Sequence, residues 1–162
     1  MTNKIKRYIK EIVQFMVILI ILANAISYYK SMDLNKEKLN LKEIKLIDNS
    51  SYSFEKKKPI LIHFWATWCP VCKVEAPNIE KLSKDYEVIT IAVNSKNIKQ
   101  YLKENDLSFK VYDDKDNSYA NKFNISVYPT TLIYDKNKSL IFSEVGYTST
   151  LGLQLRMLWA DF

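Results

Sequence analysis

At 162 residues and 48% apolar side chains, the chain is long enough for one folded domain and some extra length. Its formal charge of +6 is unevenly placed: residues 1–30 carry Lys4, Lys6, Arg7, Lys10 and Lys30 against Glu11, whereas the other 132 carry 19 basic and 17 acidic groups. The part that folds is nearly balanced and lacks a basic stripe, so nucleic-acid binding is excluded as its expected activity. With only 2 glycines, its loops must be turned by Asn, Asp, Ser and Pro.

The N-terminal element comes first. "IVQFMVILIILANAISYY" (Ile12–Tyr29) is 18 residues without a formal charge, close to the ~20 residues that span a bilayer as a helix. Basic residues before it keep the N-terminus cytoplasmic and send the rest across. A cleaved signal is the rival reading, because Ala23-Asn24-Ala25 has the A-x-A form of a signal-peptidase site. An uncleaved anchor is preferred, since the apolar run continues past that point. Residues 1–30 are therefore expected to be an anchor or signal peptide, residues 31–43 a polar stalk, and residues 44–162 the folded domain.

The domain alternates strands and helices. Short strands are expected at Glu43–Ile47 and Tyr52–Phe54 around an Asp-Asn-Ser-Ser turn. "PILIHFWA" (Pro59–Ala66) is a continuous apolar run, as in a strand buried on both faces. A helix follows from Pro70 to about Tyr86, then a strand over Glu87–Ser95, a helix over Asn97–Asn105, a strand over Phe109–Asp114 and a short helix over Asn117–Phe123. Two strands, Tyr128–Asp135 and Ser139–Tyr147, join through a tight turn and must be antiparallel. A last amphipathic helix covers Thr150–Trp159. The pattern predicts an α/β domain: a largely parallel central sheet made mixed by that last hairpin, with helices on both faces.

The only cysteines, Cys69 and Cys72, stand three residues apart in "FWATWCPVCKVEAP" (Phe64–Pro77). Cys69 falls at the end of a buried strand, and Pro70 suits the first position of a helix. The partial positive charge of a helix N-terminus stabilises a thiolate there. Cys72 lies one turn on and can reach back to close a disulfide. Such a pair attacks a partner's disulfide with Cys69 and resolves the mixed disulfide with Cys72. Other uses fit less well. A structural bridge over so short a loop constrains little of the unfolded chain. Structural zinc wants four ligands, and these two thiols with His63, the only histidine, make three. Two idle thiols suit an exported domain poorly.

At these residues the sequence resembles the thioredoxin superfamily. "CPVCKVEAP" is similar to the C-x-x-C-x-x-E-x-P pattern of the TlpA/ResA/DsbE-like branch. The CPVC variant in a short anchored layout looks most like the suppressor-of-copper-sensitivity D-type oxidoreductases. The resemblance covers residues 40–160 and is specific in the active-site segment. It implies a thioredoxin-like fold preceded by one transmembrane helix. It also implies that Pro129, in "VYPTTLIY", is the cis-proline facing the sulfurs, with Tyr128 and Trp68 completing the substrate groove. Glu75 matches the branch's glutamate, whose implied part is proton transfer; a solvated first-turn glutamate is the plainer alternative. His63 stands where thioredoxin has a buried aspartate. It is a tentative second proton acceptor, with a satisfied strand histidine preferred. Tyr128 is bulkier than the residues common at its place, so partner choice does not transfer.

Two neighbours are set aside. A peroxiredoxin-like site needs P-x-x-x-T-x-x-C, but Thr67 is only two residues before Cys69 and no proline precedes it at the required spacing. Cytochrome c maturation members carry a G-x-P-E-type segment where this chain reads "SVYPTT". The expectation is thus an extracytoplasmic domain on a single-pass inner-membrane anchor, exchanging disulfides with periplasmic proteins, preferentially as a reductase. No metal or organic cofactor is expected. A membrane electron donor of the DsbD/CcdA kind is implied by the resemblance alone. A thiol-dependent Cu(I)-binding module is the alternative from another class, and oxidase direction is the alternative within the same chemistry.

Overall fold

A computed structural model of the chain describes residues 2–54 and 57–162. The elements are α1 (Thr2–Lys30), β1 (Glu43–Lys45), β2 (Ser51–Ser53), β3 (Ile60–Trp65), α2 (Pro70–Ser83), β4 (Glu87–Val93), α3 (Ile98–Glu104), β5 (Lys110–Asp114), α4 (Ser118–Lys122), β6 (Thr130–Tyr134), β7 (Leu140–Val145) and α5 (Thr150–Asp161). Every expected element of the domain is present, with its ends within a few residues of the expected ones.

The main sheet has the order β5-β4-β3-β6-β7, and β1 pairs with β2 in a separate antiparallel hairpin. β3 runs parallel to β4, and β4 to β5, while β6 is antiparallel to both β3 and β7. The sheet is more evenly mixed than strand–helix alternation suggests. β5 ends at Asp114 and β6 begins at Thr130 on the same edge of the sheet, since Asp114 pairs with Val93 and Thr130 with Phe64. The chain never crosses back to the opposite edge between them, so β6 has to run the other way.

β3 is central and wholly buried, as its unbroken apolar run requires. Its alternate residues serve two cores. Leu61 and Trp65 pack with Ile79, Leu82, Leu153 and Met157 under α2 and α5. Ile60, Ile62 and Phe64 pack with Tyr52, Phe54 and Phe123 on the other face. Left-handed backbone falls mostly on asparagine, as the glycine shortage requires: Asn49, Asn94, Asn97, Asn117 and Asn124 all have positive φ. Two of them, Asn97 and Asn117, cap α3 and α4.

Residues 31–43, expected to be a stalk, do not stand clear of the domain. Leu34 and Leu39 are buried in the β1–β2 core. The Asn35 N–H donates to the Phe123 carbonyl (3.1 Å) and the Leu39 N–H to the Lys138 carbonyl (2.8 Å). The polar residues face water, and the isolated leucines between them anchor the strap. α1 is long and apolar enough to cross a membrane, and its span is unburied. Its C-terminal end packs on the domain through Ser27, and Ser31 just after it is also buried.

Candidate active site

The site is built where β3 gives way to α2. The chain turns from Trp65 through Ala66 and Thr67 into Cys69, whose extended backbone (φ −85°, ψ 116°) makes it the N-cap of α2. Pro70 takes the first helical position, where its missing N–H leaves nothing unpaired. With no Ser, Thr, Asp or Asn at the cap, the cysteine sulfur takes over that task. The Cys72 N–H donates to the Cys69 Sγ at 3.2 Å.

Both cysteines are free thiols. Cys69 keeps 5% of its surface in solvent and Cys72 only 1%, so the first is the more accessible sulfur. Burial pushes the Cys72 thiol strongly up, and its hydrogen bond with Cys69 and the charges of Cys69 and Glu75 add to this. The pair is thus asymmetric, with Cys69 the less buried sulfur and Cys72 the one set up to hold its proton.

Above the sulfurs lies the loop before β6. The Tyr128–Pro129 peptide is cis, and the Cys69 thiol points at the Tyr128 carbonyl, 3.6 Å away. Trp68 is 58% exposed and meets the Tyr128 ring edge-on, with centroids 5.8 Å apart. Its indole N–H donates to the Asn94 carbonyl at 3.1 Å, and the Thr67 N–H donates to Ser95 Oγ at 3.0 Å. The loop after β4 therefore holds the rim that carries Trp68.

Glu75 lies one turn past Cys72 and is fully buried, not solvated. Its Oε1 accepts the Thr148 N–H at 2.8 Å, and its Oε2 has no partner. Burial raises its pKa to about 8 against the usual 4.5; the Thr148 bond opposes the rise and Glu144 adds to it. A buried carboxyl that changes charge near neutral pH beside a thiol is suited to take that thiol's proton.

His63 is placed differently from the tentative expectation. It lies buried in mid-β3 with Nδ1 2.9 Å from Thr131 Oγ1. Among the described residues no hydrogen bond joins its ring to either sulfur. Burial lowers its pKa to about 3, so the ring stays neutral at ordinary pH. This is the satisfied strand histidine that the sequence favoured.

Of the seven residues picked out in the sequence, the structure gathers Cys69, Cys72, Tyr128 and Pro129 around one spot beneath the exposed Trp68, with Glu75 directly behind. Asn94, Thr131, Thr148 and Glu144 were not picked out. Each acts through a backbone group or a contact more than 25 residues away, and no local pattern signals such contacts.

A family model described as AhpC/TSA family matches residues 31–143. The chain belongs to the AhpC/TSA family. Similar proteins within reach of this AhpC/TSA chain include a thioredoxin-like protein of Haemophilus influenzae, 30% identical over 165 residues and covering 98% of each chain. The thiol-disulfide oxidoreductase ResA of Bacillus cereus is 28% identical over 147 residues, 80% of this chain and 85% of the relative. Among solved structures, StoA of Bacillus subtilis superposes with a TM-score of 0.63 at 23% identity, over 74% of this chain and 95% of that one. A thioredoxin-family thiol:disulfide interchange protein of Chlorobium tepidum gives 0.64 at 23%, over 78% and 98%. These structures show that the fold of this AhpC/TSA protein is thioredoxin-like. The ResA relatives support the TlpA/ResA/DsbE branch within it.

Proposed function

We propose that the chain is a membrane-anchored, extracytoplasmic thiol–disulfide oxidoreductase that reduces disulfides in other proteins. The observation that carries this is the Cys69 sulfur at the helix cap, receiving the Cys72 N–H beneath the cis-proline loop. The ResA relatives, named as thiol-disulfide oxidoreductases, support the class.

The steps follow from the asymmetry of the pair. The Cys69 thiolate attacks one sulfur of the partner's disulfide. That S–S bond breaks, and the other partner sulfur leaves as a thiolate. Cys72 then gives its proton to Glu75 and attacks Cys69 Sγ. A Cys69–Cys72 bond forms and the second partner sulfur is released. The partner gains two electrons and, from solvent and Glu75, two protons. Reloading requires a dithiol donor, for which a membrane protein of the DsbD/CcdA kind is the expected source. α1 serves as an uncleaved anchor in this reading. Trp68, Tyr128 and Pro129 form the groove in which the partner's chain lies.

The test incubates the reduced protein with a disulfide-bearing protein and counts thiols, alongside titration with Cu(I). Two partner thiols released for each protein oxidised is the expected result. Tight stoichiometric Cu(I) binding without thiol release would replace this reading with a copper-binding module.

A further inference from the structure

Three segments far apart in the sequence meet beside the dithiol. β1 brings Lys45, the loop after β4 and the start of α3 bring Lys96 and Lys99, and the turn after β5 brings Lys115. Together with Ile47 and Ile98 they line a cavity of about 880 Å³. All four lysines are exposed. The one carboxylate in the lining is Asp113, and Lys115 already pairs with it at 3.5 Å. Lys99 also acts on Asp48, on the β1–β2 turn outside the lining. Among the described residues, no carboxylate lies within ion-pair distance of Lys45 or Lys96. A local excess of positive charge therefore remains, in a domain whose overall charge is nearly balanced.

The wall of this cavity also supports the rim of the dithiol. Ser95 Oγ accepts the Thr67 N–H at 3.0 Å, and the Lys96 carbonyl accepts the Thr67 hydroxyl at 3.2 Å. The Asn94 carbonyl just before them holds the Trp68 indole. Thr67 is two residues from Cys69, so at most about 7 Å of chain separates the two backbones. A partner chain that lies along Trp68 with its disulfide at Cys69 thus reaches the cavity within a few residues. The lysines are flexible point charges set around an open space with apolar side chains between them. That suits an extended segment bearing carboxylates better than a small anion, which wants fixed and converging donors.

We infer that this cavity docks an acidic segment of the partner protein, so that Cys69 reacts fastest with disulfides that have Asp and Glu roughly three to six residues away. The inference rests on the exchange reading of the dithiol and deepens it by naming the kind of protein the site prefers. Opposite charge speeds encounter and sets the approach, while the exchange chemistry itself is unchanged.

The test mixes full-length reduced protein, in uncharged detergent, with two peptides that carry the same disulfide. One has Asp and Glu at the flanking places and the other Asn and Gln, and thiol release gives the rate constant for each. The acidic peptide is expected to react about tenfold faster or more at low salt. That advantage should vanish near about 1 M salt, where charges are screened beyond about 3 Å. It should vanish too when Lys45→Gln, Lys96→Gln and Lys99→Gln are combined, with the neutral peptide reacting as fast as in the wild type. If the combined variant loses its neutral-peptide rate, Lys96→Gln and Lys99→Gln are read singly, and each should remove part of the advantage. Equal rates for the two peptides in the wild type, or a preference that survives the lysine substitutions, would overturn the docking site and leave the exchange reading standing. Thiol release from neither peptide would overturn the exchange reading, and the docking site with it.

Discussion

Cys72→Ser is expected to leave the protein covalently joined to its partner. The mixed disulfide on Cys69 is opened only by a second thiolate, and Cys72 is the only other sulfur in a cysteine side chain. A serine hydroxyl does not attack sulfur at neutral pH, so the adduct accumulates and turnover falls to background. Cys69→Ser should fail earlier, forming no adduct at all, because the buried Cys72 is neither exposed nor charged. A non-reducing gel with a disulfide-bearing protein distinguishes the two. The roles would be reversed if the adduct formed in Cys69→Ser and not in Cys72→Ser. Each serine buries a hydroxyl in place of a thiol, at a cost of about 1–3 kcal/mol if it finds no partner, so folding is checked first by circular dichroism.

Glu75→Gln should slow the resolving step by roughly 10²–10⁴-fold, the usual worth of a positioned proton acceptor. Burial holds the Glu75 pKa at about 8, so the wild-type rate of mixed-disulfide release should climb as pH rises through that value. The variant should be slow and lose the climb. Stability gives a second readout with a definite sign. A carboxyl whose folded pKa is raised contributes stability that is full below its unfolded value of 4.5 and is lost as pH rises through about 8. Wild-type stability should therefore fall across pH 4.5–8 relative to the glutamine variant, by on the order of 3 kcal/mol. Urea unfolding of both proteins at several pH values measures it. Parallel curves would mean that the fold does not raise the Glu75 pKa, so its charge does not switch near pH 8.

The parts of the site that proved legible in the sequence are those encoded locally. Cys69 at a strand end, Pro70 after it and the apolar run before it already specify a buried strand feeding a capped helix. Pro129 at the head of an apolar strand was found by resemblance, with its isomer left to the structure. What stayed hidden depends on distant segments meeting. Glu75 could equally have been a solvated first-turn residue until Thr148 was seen to donate to it. His63 suited a satisfied strand position better than proton transfer, and only Thr131 across the sheet shows how its ring is held. The stalk misled because three leucines in a polar segment give no periodic signal, yet Leu34 and Leu39 are buried and Leu41 packs against the same core. The reversed β6 depends on which edge the chain leaves β5 from, and the alternation of strands and helices does not encode that.

The central claim is a dithiol that gives electrons to its partners, and the equilibrium reduction potential of the Cys69–Cys72 couple tests it most directly. The full chain is equilibrated in thiol redox buffers, quenched and resolved by mass. Thioredoxin lies near about −270 mV and the oxidant DsbA near about −120 mV. The account predicts a single two-electron couple with a Cys69–Cys72 disulfide and a potential toward the thioredoxin end. A potential toward the DsbA end, or a chain that never forms that disulfide, would contradict it.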